Sequence, residues 1–369
     1  MNIVSVARGE RGFTVTFDDQ SDIEYPFIWL RDNDPDNFHP DTRERVFDLT
    51  TIELDIEPSD YGSTAGTLSV HWPDKTSASA YAADWLLRHR PGVRRGDPSV
   101  VAQSLWDAAA MAEVPRVDSR ACSSDPAALL SALQTLKRFG IVLFHDLDDS
   151  LDGARQFAEA VGFPRQTNFG VMFEVISMPD PNNLAYTSLA LPLHTDLPNQ
   201  ELIPGYQFLH AYRNSATGGE SVFADGFRVC SDFAKEFPEE FELLCRVPVP
   251  FRFHDDNNDI RQHRPVILQR PDGTFDYLVF NAHIADLPDM DSELLYDFYR
   301  AYKALMHRIR DPQYAIRYRL RPGEMVAFDN SRVLHGRDAF DPDSGERHYR
   351  GYYLERNEVD SRIRVLSRN

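Results

Sequence analysis

Three times in this 369-residue chain a histidine stands two places before an aspartate: His39/Asp41, His194/Asp196 and His254/Asp256. Such a pair can grip one ion, because residues i and i+2 of an extended strand share a face. His39 follows the polar run Asp32-Asn33-Asp34-Pro35-Asp36-Asn37, and His254 opens Asp255-Asp256-Asn257-Asn258-Asp259. Both contexts read as solvated turns. His194-Thr195-Asp196 differs, because Leu189, Leu191 and Leu193 precede it with strand-like alternation. The best third ligand is His335, which ends the run Met325 to Leu334 beside a glycine. Two histidines and a carboxylate on one face, with open positions opposite, form the arrangement of non-haem Fe(II) oxygenases. By spacing alone the same residues also read as hydrogen-bonded structural histidines.

The elements that must position these groups follow from pattern. Residues 1–105 read as a β-rich module, with Gly12–Phe17 and Gly66–Trp72 as strands and a short helix over 80–89. Residues 106–124 read as a linker, and 125–369 as the chemistry-bearing domain. There Asp125-Pro126 opens a helix that Gly140 closes, with Leu129, Leu130, Leu133 and Leu136 on one face. Further helices are predicted over 151–161, 226–236, 238–245 and 291–309. Strands are predicted over 141–144, 206–212, 276–280, 314–320, 325–328 and 349–354. Many strands with few flanking helices predict a mainly β fold, a jelly-roll-type double sheet rather than an alternating βαβ order.

Composition excludes several functions. The net charge of −19, from 39 Lys+Arg against 58 Asp+Glu, disfavours a nucleic-acid backbone or an anionic membrane. No apolar run approaches the roughly 18 residues of a membrane span. MNIVSVARGERG has no apolar stretch after a basic one, so no secretory signal is expected and the cytoplasm fits. The three cysteines, Cys122, Cys230 and Cys245, are too few and scattered for a disulfide framework and read as small hydrophobes. No glycine-rich phosphate loop opens a helix, and no serine or cysteine triad pattern is present.

The ordered motifs identify a resemblance. Asn182-Asn183-Leu184-Ala185-Tyr186, His194-Thr195-Asp196, Gly218-Gly219-Glu220-Ser221, Asp225-Gly226-Phe227 and Asp329 through Arg337 are similar to γ-butyrobetaine hydroxylase-like members of the taurine dioxygenase-like Fe(II)/2-oxoglutarate-dependent oxygenase family. Trp29-Leu30-Arg31-Asp32-Asn33, Trp72-Pro73-Asp74 and Ala83-Asp84-Trp85-Leu86 resemble that family's small N-terminal domain, so the likeness covers nearly the whole chain. It implies a double-stranded β-helix, with His194, Asp196 and His335 as catalytic iron ligands. Arg347, twelve residues after His335, would hold the distal carboxylate of 2-oxoglutarate, with Leu209 beside that cosubstrate. A guanidinium fork suits a carboxylate. Arg350 is the competitor, but strand alternation puts Arg347, Gly351 and Tyr353 on one face and Arg350 on the other.

A trimethylammonium group has no N–H, so aromatic faces must recognise it. The family's cage positions fall on Phe169, Phe173, Tyr186 and Tyr353, while Asn183 and Asn281 match the amides that hold the substrate's anionic end. Two departures stand out. The first two cage positions are Tyr and Trp in the family and Phe here. The N-terminal zinc positions are occupied by Asp34, Asp36, Phe38 and Thr76, so no structural zinc is expected. Around Asn281 the sequence also leaves the family pattern, and His283 reads either as a charge near the tail or, slightly preferred, as a surface residue.

The implied reaction hydroxylates a C–H bond of a small cationic trimethylammonium compound with an anionic tail, γ-butyrobetaine or a close analogue. It consumes 2-oxoglutarate and O₂, and the resemblance adds stimulation by ascorbate and a homodimer. The same chemistry on 2-(trimethylamino)ethylphosphonate or trimethyllysine is an alternative. A non-catalytic betaine-binding protein and a zinc or manganese hydrolase are remoter ones.

Overall fold

The computed structural model describes residues 1–147, 152–177 and 184–368. The chain divides into two units, Met1–Asp97 and Pro98–Asn369. In the first, β1 (Ile3–Arg8), β2 (Gly12–Phe17) and β3 (Asp22–Pro26) form an antiparallel sheet that runs into α1 (Phe27–Asp32). A second sheet of β4 (Asp60–Ser63), β5 (Thr67–His71) and β6 (Ser79–Ala82) runs into α2 (Ala83–Arg88). Period-2 alternation sets their core: Phe13, Val15 and Phe17 of β2 pack with Leu68, Val70, Trp72, Leu30 and Leu86. The helix expected from residue 80 begins at Ala83, because Ser79–Ala82 is spent on pairing with β5.

Asp34 and Asp36, two of the positions that match the family's zinc site, are held in ion pairs. Lys75 Nζ lies 2.5 Å from Asp34 Oδ2 and 3.0 Å from Asp36 Oδ2, and Ser79 Oγ also donates to Asp34. Asp34 is fully buried, so its charge requires these partners.

The second unit opens with β7 (Arg116–Asp118), α3 (Ser119–Ser124), α4 (Pro126–Phe139) and β8 (Ile141–His145). Residues 106–124 are therefore not an unstructured connection. Trp106 and Met111 are buried with β8, and the Trp106 indole N–H donates to the Phe139 carbonyl. α4 has the expected caps, with Asp125 accepting from the Ala127 N–H and Gly140 at φ 75°. Next come α5 (Gly153–Val161), β9 (Phe173–Val175), β10 (Leu191–His194), β11 (Tyr206–Asn214), β12 (Thr217–Gly218), β13 (Ser221–Asp225), α6 (Gly226–Glu236) and α7 (Pro238–Arg246). The expected helix start at 151 lies outside the described residues. Hairpins β14 (Val249–His254)–β15 (Asp259–Arg264) and β16 (Ile267–Gln269)–β17 (Phe275–Leu278) precede α8 (Ser292–Ile309). The chain ends with β18 (Ala315–Tyr318), β19 (Met325–Asp329), β20 (Val333–Arg337), β21 (Phe340–Asp341), β22 (Arg347–Leu354) and α9 (Arg356–Leu366).

Two sheets carry this unit, in the orders β7-β8-β19-β11-β22-β9 and β10-β20-β13-β18. A core of Ile141, Leu143, Val326, Phe328 and Tyr349 from the first with Phe223 and Val333 from the second lies between them. Val142, Phe144, Met325, Ala327, Tyr352 and Leu354 face the other way, under α4, α5 and α9. β8 over 141–144 and β19 over 325–328 are continuously apolar, because both their faces are covered there. Helices α6, α7 and α8 cover the four-stranded sheet. The result is a double-stranded β-helix, mainly strands with flanking helices. Among the described residues no helix is long and apolar enough to cross a membrane.

One buried ion pair ties this frame to the chemistry-bearing strand. Arg332, immediately before β20, donates through Nε and Nη2 to the two oxygens of Asp225 at 3.0 and 2.8 Å, both side chains fully buried. Asp225 ends β13 and caps α6. The bidentate geometry locks the position of β20 against β13.

Candidate active site

His194 and His335 are directly opposed across the antiparallel β10–β20 pair. Cross-strand partners share a face, and the two imidazole centroids are 4.3 Å apart. Gly336 permits this approach, since a Cβ there would lie 2.5 Å from the Leu191 carbonyl oxygen. β10 stops at His194, so Asp196 is not on the strand as the spacing suggested. Side-chain hydrogen bonds place it instead: its N–H donates to Asn330 Oδ1 at 2.7 Å, while Asn330 Nδ2 donates to the Asp196 carbonyl at 3.1 Å. Leu197 then turns the chain at φ 56°.

His194 Nε2 lies 3.3 Å from Asp196 Oδ1, and His335 Nε2 lies 3.5 Å from Asp196 Oδ2. The three donor groups fall within 4.8 Å of one another. His194 Nδ1 is engaged with the Pro192 carbonyl at 2.9 Å, which leaves Nε2 as the ligating atom. Burial pushes the Asp196 carboxyl up, but the charge of His335 and hydrogen bonds from both imidazoles outweigh it and hold Asp196 well below the usual carboxylate range. Burial pushes the His335 imidazole down, toward the neutral form a metal requires. Two neutral nitrogens and one anionic oxygen fit Fe(II).

These groups floor a cavity of about 280 Å³. Arg347, Leu209, Phe169, Phe173, Tyr186, Asn281 and Tyr353 all line it, so every expected site residue within the described chain meets there. Asn183 lies outside the described residues. Arg347 is buried, with its guanidinium 4.1 Å from the Tyr349 ring centroid, and its Nε has no hydrogen-bond partner. Among the described residues no carboxylate pairs with it. Arg350 points to the opposite face and pairs with Glu174 at 2.6 Å. His283, preferred above as a surface residue, is exposed yet also lines the cavity, 6.0 Å from His194 between centroids. His39 leads into a turn, its Nδ1 accepting from the N–H groups of Asp41 and Thr42, and His254 ends β14, paired with Asp259.

The aromatic cluster is tightly built. Phe173 stacks on Tyr353 at 5.0 Å and 28°, and the Tyr353 hydroxyl donates to Asp196 Oδ2 at 2.7 Å. Phe169 meets Phe253 edge-on at 5.2 Å. Phe253 was not anticipated, although Val249, Phe251 and Phe253 alternate ahead of an Asp/Asn turn, a hairpin signal. Gln207 was missed too, despite standing between the aromatic Tyr206 and Phe208. It is buried with an unpartnered Oε1 in the cavity wall.

Arg337 is the third omission. It stands two residues after His335 on the same face and donates to the carbonyls of Ala185, Thr187 and Leu189 at 3.2, 2.7 and 2.8 Å. It thereby holds the turn bearing Tyr186 against the metal-site strand. Burial and the neighbouring Arg347 push its guanidinium down to about 10. Two buried cations side by side make this end of the cavity an anion site.

Fold and donor set together define a non-haem Fe(II)/2-oxoglutarate dioxygenase. Residues 109–353 match the taurine catabolism dioxygenase TauD, TfdA family and residues 4–87 the gamma-butyrobetaine hydroxylase-like N-terminal domain, and the chain belongs to the TauD/TfdA family. It is 37% identical to a gamma-butyrobetaine dioxygenase of Pseudomonas sp. (strain AK-1), over 99% of this chain and 96% of the relative. It is 29% identical to the mitochondrial trimethyllysine dioxygenase of Bos taurus, over 93% and 83%. The solved structure of an asparagine oxygenase shares the fold, with a TM-score of 0.50 at 17% identity over 64% of this chain and 81% of that one.

Proposed function

We propose that this dioxygenase hydroxylates γ-butyrobetaine or a close trimethylammonium analogue with an anionic tail. The observation that carries the reading is the convergence on one cavity of an aromatic cluster, a metal-type donor set and a buried arginine that no carboxylate pairs with among the described residues. Bound Fe(II) supplies the oxidation of a C–H bond by O₂, coupled to conversion of 2-oxoglutarate into succinate and CO₂.

The chain's own residues do the placing. His194, Asp196 and His335 hold the metal, and Arg347 takes the distal carboxylate of 2-oxoglutarate against the wall formed by Leu209. Phe173, Tyr353, Tyr186 and Phe169 present ring faces to a quaternary ammonium, which binds by cation–π attraction where a charged acceptor would be superfluous. The apolar walls exclude water from the reacting carbon. Asn281 and Asn183 are assigned to the anionic end.

The test is 2-oxoglutarate consumption, with matching succinate release, on γ-butyrobetaine, trimethyllysine and 2-(trimethylamino)ethylphosphonate. Coupled turnover highest on γ-butyrobetaine supports the proposal. Preference for one of the other two reassigns the tail, and equal uncoupled consumption with all three overturns the cage assignment.

A further inference from the structure

The amide expected to grip the substrate's anionic end is already half occupied. Asn281 is buried, its Nδ2 donates to the Thr195 carbonyl at 3.1 Å, and its Oδ1 accepts the His283 N–H at 3.1 Å. One N–H of the amide is left, and with Asn183 it supplies only part of the hydrogen bonds that the two oxygens of a carboxylate accept. A further donor is needed at this end of the cavity.

His283 meets that need. Its ring lines the cavity, edge-on to His194, and no hydrogen bond or ion pair to its imidazole is found among the described residues. The loop that carries it is clamped at both ends. Phe280 exchanges hydrogen bonds with Thr195, its N–H reaching Thr195 Oγ1 at 3.0 Å and its carbonyl accepting the Thr195 N–H at 2.7 Å. Beyond His283, the Ile284 carbonyl accepts from the Arg252 N–H and the Asp286 N–H donates to the Pro250 carbonyl, both at 2.9 Å. A donor held this way is pre-organised, which reduces the entropy lost on binding.

Resting on the function proposed above, we infer that His283, together with the free N–H of Asn281, binds the carboxylate tail of the substrate and is the residue that selects for it. The imidazole adds an N–H donor to those of the two amides, for a carboxylate that offers about four acceptor sites. Neither group takes part in the oxidation, so the effect belongs in KM.

The experiment compares His283→Ala and His283→Gln with the unaltered iron-loaded enzyme. Succinate formation is followed with γ-butyrobetaine and with butyltrimethylammonium, which lacks the tail. His283→Ala is expected to raise KM for γ-butyrobetaine about tenfold, the scale of one hydrogen bond to a charged group. His283→Gln, which restores an N–H donor, recovers most of that loss. KM values for butyltrimethylammonium and 2-oxoglutarate stay within about twofold. An equal rise for the tailless compound, or no rise for γ-butyrobetaine, overturns the inference while leaving the proposed function standing. Absence of turnover by the unaltered enzyme on every trimethylammonium compound removes the proposed function, and this inference with it.

Discussion

The Tyr353 hydroxyl donates to Asp196 Oδ2 at 2.7 Å, so one ring of the aromatic cluster is hydrogen-bonded to the carboxylate of the metal-type triad. Burial and the nearby Asp196 charge push the tyrosine hydroxyl well above its ordinary value, which keeps it a donor. Partners that orient a metal-binding side chain typically change metal affinity about 10–100-fold when removed. Tyr353→Phe keeps the ring face and loses only this bond. The expected outcome is at least a tenfold rise in the Fe(II) concentration for half-maximal activity, with KM for the trimethylammonium substrate changed less than about threefold. An iron titration at saturating substrate checks it, and an unchanged iron requirement would count against the bond's role.

Phe173 lies over Gly351, where an added Cβ would come within 2.2 Å of its ring. β9 and β22 are paired at this point, so the backbone has no room to relax and the ring must move. Gly351→Ala is expected to raise KM for the quaternary ammonium about tenfold, since a displaced aromatic face forfeits roughly 1–2 kcal/mol of cation–π attraction. KM for 2-oxoglutarate should hold. Steady-state kinetics with both substrates, beside a circular dichroism melt, separate a lost cage wall from lost folding.

Arg347 and Arg350 lie three residues apart on one strand and face opposite sides. Arg347→Gln leaves the anion end of the cavity without its guanidinium and is expected to raise KM for 2-oxoglutarate about 100-fold, in line with losing a bidentate charge-assisted contact. Arg350→Gln, which breaks the pair with Glu174, should change that KM less than about threefold. A reversal of the two results would exchange their assignments.

Lys75, at 2.5 Å, is the nearer of the two cations paired with Asp34 in the N-terminal unit, the Arg31 guanidinium lying at 4.0 Å. Removing one partner of a buried pair strands the other charge, at about 3–5 kcal/mol. Lys75→Ala is expected to lower stability to urea on that scale, and adding Asp34→Asn to recover part of it. Chelators should leave the thermal transition where it is. A shift of several degrees with EDTA would return a metal to this site.

Much of this was legible in the sequence because it depends on local chemistry. The caps of α4, the double-sided apolar runs of β8 and β19, and the opposite faces of Arg347 and Arg350 follow from dihedral preference and period alone. The order of the motifs was enough to name the metal-type triad and the aromatic positions. What the sequence could not express is which distant segments meet. Asp196 is aimed by Asn330, 134 residues away, and the loop of Tyr186 is held by Arg337, about 150 residues on. Trp106 reads as part of a linker until it is seen to donate to Phe139 and pack under β8. Phe253, Gln207 and His283 reach the cavity only because hairpin, strand and loop are clamped around it. Sequence determined the residue types and their local backbone, since those energies are set within a few neighbours. The tertiary structure alone decided which polar groups were already satisfied and which, like Arg347 and His283, were left facing the cavity. That is a property of packing across the whole domain.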